Sequence, residues 1–243
     1  MMKKRQFIIS FILILFCHFY SLYASQAPTG YLLSKKESSL VTIAATTAKG
    51  DLTKLKDVLN KGLDAGLTSN QIKESIIHLY AYAGFPRSIR GLQTLMAVLE
   101  ERRAKGINDP TGADASPIQN DQSKYERGKA ILEQLTGVPE KEPKTGYAAF
   151  APTIEIFLKE HLFADVFERD VLTYAERELV TVSVLATIGG VEPMLKSHLN
   201  ICLNVDLTPN QLNQFAVIIG STIGKSEATT AKKILDDVLN SKN

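Results

Sequence analysis

An internal repeat is the feature that most constrains how this chain can fold. The segment at 67–72, LTSNQI, recurs in similar form as LTPNQL at 207–212, 140 residues later. The segment at 40–44, LVTIA, recurs as LVTVS at 179–183, 139 residues later. Because both pairs keep their order and nearly the same offset, they indicate a duplicated structural unit rather than a chance match. We therefore expect two diverged copies of one fold.

Each copy is predicted to form four helices. Thr68 and Thr208 are suited to N-cap positions, and a glutamine three residues after each completes a capping-box pattern. Pro209 fits the first position of a helix. No useful length of the sequence alternates apolar and polar residues as a half-buried strand does. We predict an all-α fold with helices near 37–49, 52–65, 69–83 and 87–103 in the first copy and near 173–188, 192–205, 209–223 and 226–240 in the second.

The N-terminus has the composition of a secretory signal peptide. Basic residues at 3–5 precede an apolar run at 7–16 that is too short to span a membrane, and Ala24 offers the small residue that cleavage requires. We predict cleavage after Ala24 and export to the periplasm or the medium, with no stable membrane insertion afterwards. Lipid attachment at Cys17 is the alternative.

Between the copies lies a segment rich in Gly, Pro, Asp and Asn. It contains one helix candidate at 124–135, and a further helix at 154–160 leads into the second copy. The predicted organisation is a signal peptide at 1–24, a first repeat at 25–105, a linker at 106–150 and a second repeat at 151–243.

Charge and cysteine content exclude several kinds of partner. The chain has 28 basic and 26 acidic residues, and the charges in the predicted leader are all basic, so the mature chain is close to neutral. Because no face concentrates Lys and Arg, we expect no nucleic-acid partner. The mature chain keeps Cys202 as its one cysteine, and therefore forms no internal disulfide.

Three stretches, at 75–86, 179–190 and 212–224, carry no Asp, Glu, Lys or Arg. Helices that are apolar on all sides are buried on most sides, and a small unit has difficulty covering so much apolar surface. We therefore expect the copies to pack on each other and the chain to form a homo-oligomer, either a trimer or a hexamer-like ring.

Glu74, His78 and Tyr82 are spaced four residues apart and therefore share one helix face. A carboxylate beside an imidazole holds one tautomer and raises its basicity, which suits general acid–base catalysis. We predict that Glu74 and His78 are catalytic and that Tyr82 binds substrate. The alternative is a hydrogen-bonded core histidine with Glu74 at a solvated helix start.

Arg177, Glu178 and His198 form the second candidate set. We predict that Glu178 and His198 are catalytic and that Arg177 binds a substrate carboxylate. The alternative for His198 is an ordinary surface histidine. Cys202 follows His198 by one turn and is interpreted either as a reactive thiol or as a small buried hydrophobe.

The two copies have diverged in a complementary way. Each retains residues that the other has replaced, which predicts one composite pocket built from both sets. The replacements are Gln214 for Glu74, Ile218 for His78, Thr222 for Tyr82, Ser39 for Glu178 and Val58 for His198.

These residues carry a family resemblance. The stretches at 176–182 and 198–208 resemble the first half of a carboxymuconolactone decarboxylase-type domain, and the stretch at 74–86 resembles the second half. The resemblance covers 37–103 and 154–240. It implies an all-α fold whose protomers interlock into rings, commonly trimers or hexamers.

The family resemblance also implies one of two chemistries. One is decarboxylation of 4-carboxymuconolactone. The other is the alkylhydroperoxidase D type, which needs a Cys-x-x-Cys pair shortly before the histidine. Because residues 189–194 contain no cysteine, we expect no dithiol peroxidase activity.

Together these features predict a cofactor-independent lyase or isomerase, without a metal, that acts on a small carboxylated or lactone-like molecule. The alternative is a non-catalytic binding or scaffold protein that keeps the family's fold.

Overall fold

The computed structural model describes residues 32–242, and this range is all-α with two tandem copies of a helical unit, as predicted. The predicted signal peptide, its cleavage after Ala24 and Cys17 lie outside the described residues. In the described range no helix offers the length and hydropathy of a transmembrane span. The first copy contains α1 (Lys35–Lys49), α2 (Leu52–Asp64), α3 (Ser69–His78) and α4 (Tyr80–Ala104), and the second contains α8 (Tyr174–Ile188), α9 (Glu192–Asn204), α10 (Pro209–Thr222) and α11 (Lys225–Asn240).

Equivalent helices begin in the same way because they carry the same caps. Thr68 and Thr208 each accept a hydrogen bond from the main-chain N–H three residues on, and the glutamine there bonds back to the cap. Ser34 and Thr173 form the same box, with glutamate, before α1 and α8. A capping box satisfies N–H groups that a helix start leaves without partners, which fixes where each helix begins.

The stretch that runs from the linker into the predicted second repeat is more helical than the sequence indicates. It forms α5 (Lys124–Thr136), α6 (Gly146–Phe150) and α7 (Pro152–Phe157), and α7 continues as a π-helix (Leu158–Phe167) where one short α-helix is predicted. The π-helix packs on α5 at Gly128, where an added Cβ would lie 1.9 Å from the carbonyl oxygen of Lys159. This close approach requires a glycine.

Helices of the two copies pack directly against each other in the middle of the molecule. Helix α1 packs along α8, α3 packs on α8, and α10 packs on α1. Val41 of α1 is buried in the apolar core of the second copy, and Val180 of α8 is buried in that of the first. The first helix of each copy therefore lies against the third helix of the other, which brings the side chains of α3 to those of α8.

Helix α4 bends sharply after its first turn. Gly84 has a φ of +80° and a ψ of 160°, a conformation open mainly to glycine, and Pro86 follows it. The predicted gap between the helices at 69–83 and 87–103 lies at this bend. The bend turns Phe85 outward, and its side chain is 64% exposed.

Candidate functional site

Buried Glu74 joins two arginines between α3 and α8, one buried and one partly exposed. Arg177 is fully buried, and its Nη2 donates to Glu74 Oε1 at 2.8 Å. Arg169, which follows the π-helix, donates from Nε to the same oxygen at 2.9 Å and from Nη2 to Oε2 at 3.1 Å. Burial lowers the pKa of Arg177, while its hydrogen bond to Glu74 acts in the opposite direction. A buried guanidinium needs such a carboxylate partner.

His78 is fully buried, and both of its ring nitrogens have protein partners. Nδ1 lies 3.3 Å from Arg177 Nη1, and Nε2 lies 2.8 Å from Thr181 Oγ1. Because a guanidinium only donates, we assign Nδ1 as the acceptor and Nε2–H as the donor to Thr181. Burial, followed by the charges of Arg177 and His198, lowers the pKa of His78 well below 6.5. His78 is therefore a neutral imidazole at neutral pH.

His198 is placed differently, since it reaches the surface. Its Nδ1 lies 2.8 Å from Oε2 of Glu178, which is fully buried, and the histidine side chain is 14% exposed. Nδ1–H donates a hydrogen bond to the carboxylate, which leaves the lone pair on Nε2. The second oxygen of Glu178 has no hydrogen-bond partner among the described residues. A carboxylate-oriented imidazole at the edge of the core is equipped to transfer protons.

Tyr82 lies between the two histidines. Its ring centroid is 5.6 Å from that of His78 and 5.9 Å from that of His198. Thr181 Oγ1 lies 3.3 Å from the Tyr82 hydroxyl and links it to His78. Burial and the charge of Glu178 raise the pKa of Tyr82, so the phenol keeps its proton. This spacing keeps both imidazoles well within the roughly 15 Å that one small ligand can bridge.

The structure therefore brings together, within one chain, the six candidate residues that the sequence assigns to two copies. Their catalytic and binding roles stay predictions. The contacts of two of them, Glu74 and Arg177, differ from those that the sequence predicts. Glu74 contacts Arg177 and Arg169, whereas the prediction was that it orients His78. Arg177 has no exposed surface, so a substrate carboxylate has no route to it in this conformation.

Two residues of this network are not among the sequence-predicted candidates. Thr181 follows Arg177 by one turn of α8 and so shares its face, which is a signal that the spacing could have supplied. Arg169 precedes α8 in an irregular stretch, and no periodicity marks it. Cys202 is fully buried, and burial followed by the charge of Glu178 raises its pKa, so the thiol is held as a small apolar group.

An apolar cleft of about 530 Å³ is lined by none of the six candidate residues, but two of its lining residues are close to them in sequence. Met194, which lines it, precedes His198 by one turn of α9, and Ala81 precedes Tyr82. A larger cleft of about 760 Å³, between α10 and α11, touches none of the six candidate residues. Within residues 32–242, no group of three or more His, Cys, Asp or Glu side chains is arranged to hold a metal ion.

Comparison with known proteins identifies the repeated unit. The model of the carboxymuconolactone decarboxylase family matches the chain twice, at residues 24–96 and 152–237. No curated protein matches the chain. The two matches cover more than half of the sequence, and each overlaps one of the two helical copies. The chain therefore belongs to the carboxymuconolactone decarboxylase family and contains that family's domain twice in tandem.

Proposed function

We propose that this protein is a cofactor-independent acid–base enzyme, a lyase or isomerase, that acts on a small carboxylated or lactone-like molecule. The observation that carries the proposal is the His198–Glu178 pair. The 2.8 Å contact to a fully buried carboxylate orients the ring, the side chain is partly exposed, and Nε2 has no hydrogen-bond partner among the described residues, so we infer that Nε2 meets the substrate. His198 is the proton carrier because His78 is fully buried with both ring nitrogens engaged.

In the proposed reaction, His198 Nε2 removes a proton from a carbon next to the substrate carbonyl. The electron pair moves into the carbonyl, and Glu178 stabilises the imidazolium that forms. Tyr82, whose ring centroid lies 5.9 Å from that of His198, keeps its phenolic proton, and His78 and Thr181 contact it. The imidazolium then returns the proton at another carbon, which completes an isomerisation. In a lyase reaction no C–H proton is removed first: the substrate carboxylate leaves as carbon dioxide, the electron pair of the broken C–C bond moves into the carbonyl, and a His198 imidazolium that has taken its proton from solvent protonates the carbon.

The test compares His198→Gln with Lys196→Gln, an exposed neighbour on the same helix that serves as the matched control. Proton NMR in D₂O follows both turnover and deuterium uptake, with 4-carboxymuconolactone and β-angelica lactone as probes. We expect wild type and Lys196→Gln to act on at least one probe. We expect His198→Gln to be slower by a factor of 10² or more, in line with the usual contribution of a general base.

Two outcomes count against the proposal. Equal rates in wild type and His198→Gln would remove His198 from the reaction. No turnover and no deuterium uptake with either probe would favour the alternative of a non-catalytic binding or scaffold protein.

We also propose that the chain is exported and that it self-associates. The leader-like composition of residues 1–24 supports export, and a mature N-terminus at Ser25 in the envelope or medium is the expected intact-mass result. Large exposed apolar side chains support self-association, among them Phe150 at 92% and Val217 at 71%. Light scattering at micromolar concentration should give a trimer mass, and a clean monomer would contradict it.

A further inference from the structure

The apolar cleft at Ala81 and Met194 has the size of a small-molecule site. Its volume is about 530 Å³, within the usual range of ligand pockets. Three parts of the chain build it: the start of α4, the region from α6 to the π-helix, and α9. Its lining includes Tyr80, Phe85, Phe157, His161 and Met194.

The position of the cleft connects it to the proton carrier. Met194 and His198 are four residues apart on α9 and therefore lie on one face, about one turn from each other. Ala81 lines the cleft immediately before Tyr82, whose ring contacts His198 edge-on. We therefore expect a molecule that fills the cleft and contacts Met194 to lie about one helical turn from His198.

The walls of the cleft suit a flat apolar group. The Tyr80 and Phe85 rings, which lie on either side of Gly84 in the sequence, stack at a centroid distance of 4.6 Å. Phe157 is 60% exposed and Met194 is 51% exposed. Exposed aromatic and thioether side chains make favourable contacts with a ring that covers them.

The charges around the cleft do not suit an anion. The arginines of the site, Arg177 and Arg169, both bond to Glu74. The single His, Lys, Arg, Asp or Glu side chain among the described lining residues is His161, and its Nδ1 lies 3.2 Å from Asp165. A carboxylate in this cleft would lose its hydration without gaining an unshared cation, which is unfavourable.

We propose that the cleft binds the substrate through an uncharged, ring-containing apolar group, so that this site takes neutral lactone-like molecules in preference to carboxylates. The term substrate rests on the acid–base function proposed above, whereas the ligand class rests on the cleft itself.

The experiment uses two probes that share one ring system. Coumarin is an uncharged aromatic lactone, and coumarin-3-carboxylate carries the same rings with a negative charge at pH 7. Isothermal titration of the purified chain should show that coumarin binds at least tenfold more tightly than the acid. Coumarin should also shift the His198 ring signals in NMR spectra, because Met194 in the cleft lies about one helical turn from that residue.

Variants of exposed lining residues locate the binding without disturbing the core. Phe157→Ala should weaken coumarin binding at least fivefold, and Met194→Lys should shift the preference towards the acid by supplying a cation. The matched control is Val217→Ala, an exposed apolar position on α10 outside the cleft, which should bind coumarin as wild type does.

The proposal is overturned if the acid binds as tightly as coumarin, or if Phe157→Ala and Met194→Lys both leave the two affinities unchanged. It is also overturned if Phe157→Ala dissociates an oligomer without weakening coumarin binding, because the face is then a contact between copies of the chain. Selective coumarin binding without turnover of any lactone supports the ligand class while removing the catalytic function. Turnover that depends on His198, with no preference between coumarin and the acid, supports the catalytic function and removes the proposed ligand class.

Discussion

The molecule contains the same helix junction twice, once with charges and once without. At the junction of α3 with α8, Glu74, His78 and Arg177 are buried together. At the junction of α10 with α1, the equivalent positions are neutral. There Gln214, Ile218 and Ser38 stand in place of these three residues, and Ser39 and Val58 stand in place of Glu178 and His198.

The neutral junction shows that the fold can close this contact without ions. Gln214 Oε1 accepts a hydrogen bond from the main-chain N–H of Leu33 at 2.7 Å. Thr42, the equivalent of Thr181, donates to a carbonyl of its own helix, that of Ser39, at 2.9 Å. Burying ions generally stabilises a protein no more than packed neutral residues do. The charged set at the α3–α8 junction is therefore better explained by function than by folding.

The sharpest test of this difference removes the central acceptor from each junction. Glu74→Ala leaves Arg177 buried without its carboxylate and should lower the free energy of unfolding by about 3–5 kcal/mol. Gln214→Ala removes one hydrogen bond and should cost about 1 kcal/mol. Urea denaturation of both variants measures the two losses, and equal losses would show that the junctions do not differ energetically.

A double variant separates the charge from the packing. Glu74→Ala combined with Arg177→Met removes the unpaired cation together with its partner. The double variant should be more stable than Glu74→Ala alone by about 2–3 kcal/mol, because the two residues are coupled. Strictly additive losses in a denaturation cycle would contradict the ion-pair account.

The turns before the last helices of the two copies also differ. Gly84 has φ +80° and ψ 160°, whereas its equivalent Gly224 has φ 166°, which is extended backbone. Gly84→Ala should cost about 2 kcal/mol through backbone strain, since no atom crowds the added Cβ closer than 3.6 Å. Gly224→Ala should change the free energy of unfolding by only about 0.5 kcal/mol. Thermal unfolding compares them, and a larger loss at Gly224 would reverse the interpretation.

The smallest expected effect is a pH dependence that only the charged junction has. The folded state lowers the pKa of His78 well below 6.5, so the native imidazole stays neutral while the unfolded one takes up a proton in acid. The stability linked to His78 is present above pH 6.5 and is lost as the pH falls below it. Between pH 6.5 and 5.5, wild type should lose about 1 kcal/mol more than His78→Gln does, because the unfolded imidazole is already half protonated at pH 6.5. Parallel pH profiles of the two proteins would exclude this titration.

Much of the site was predictable because the copies could be compared with each other. Thr68 and Thr208 aligned α3 with α10, and this alignment exposed the replacement of His78 by Ile218. The complementary losses then indicated that the two sets meet. The partners of each side chain could not be predicted in this way, because the distances between α3 and α8 depend on packing. Glu74 consequently bonds to Arg177 and Arg169 and not to His78.

By itself the sequence determined the duplicated all-α fold, the capped starts of the equivalent helices α3 and α10 and the identities of the six candidate residues, whereas α4 begins at Tyr80 and not at the predicted residue 87. These properties depend on local caps, helical periodicity and the repeat, all of which can be read along the chain. Only the tertiary structure decided which histidine is buried and which reaches the surface. In the sequence each histidine has one candidate glutamate partner, Glu74 for His78 and Glu178 for His198, so the local sequence does not distinguish them. Their difference in exposure follows from the packing of α8 between the cores of both copies, which no local pattern encodes.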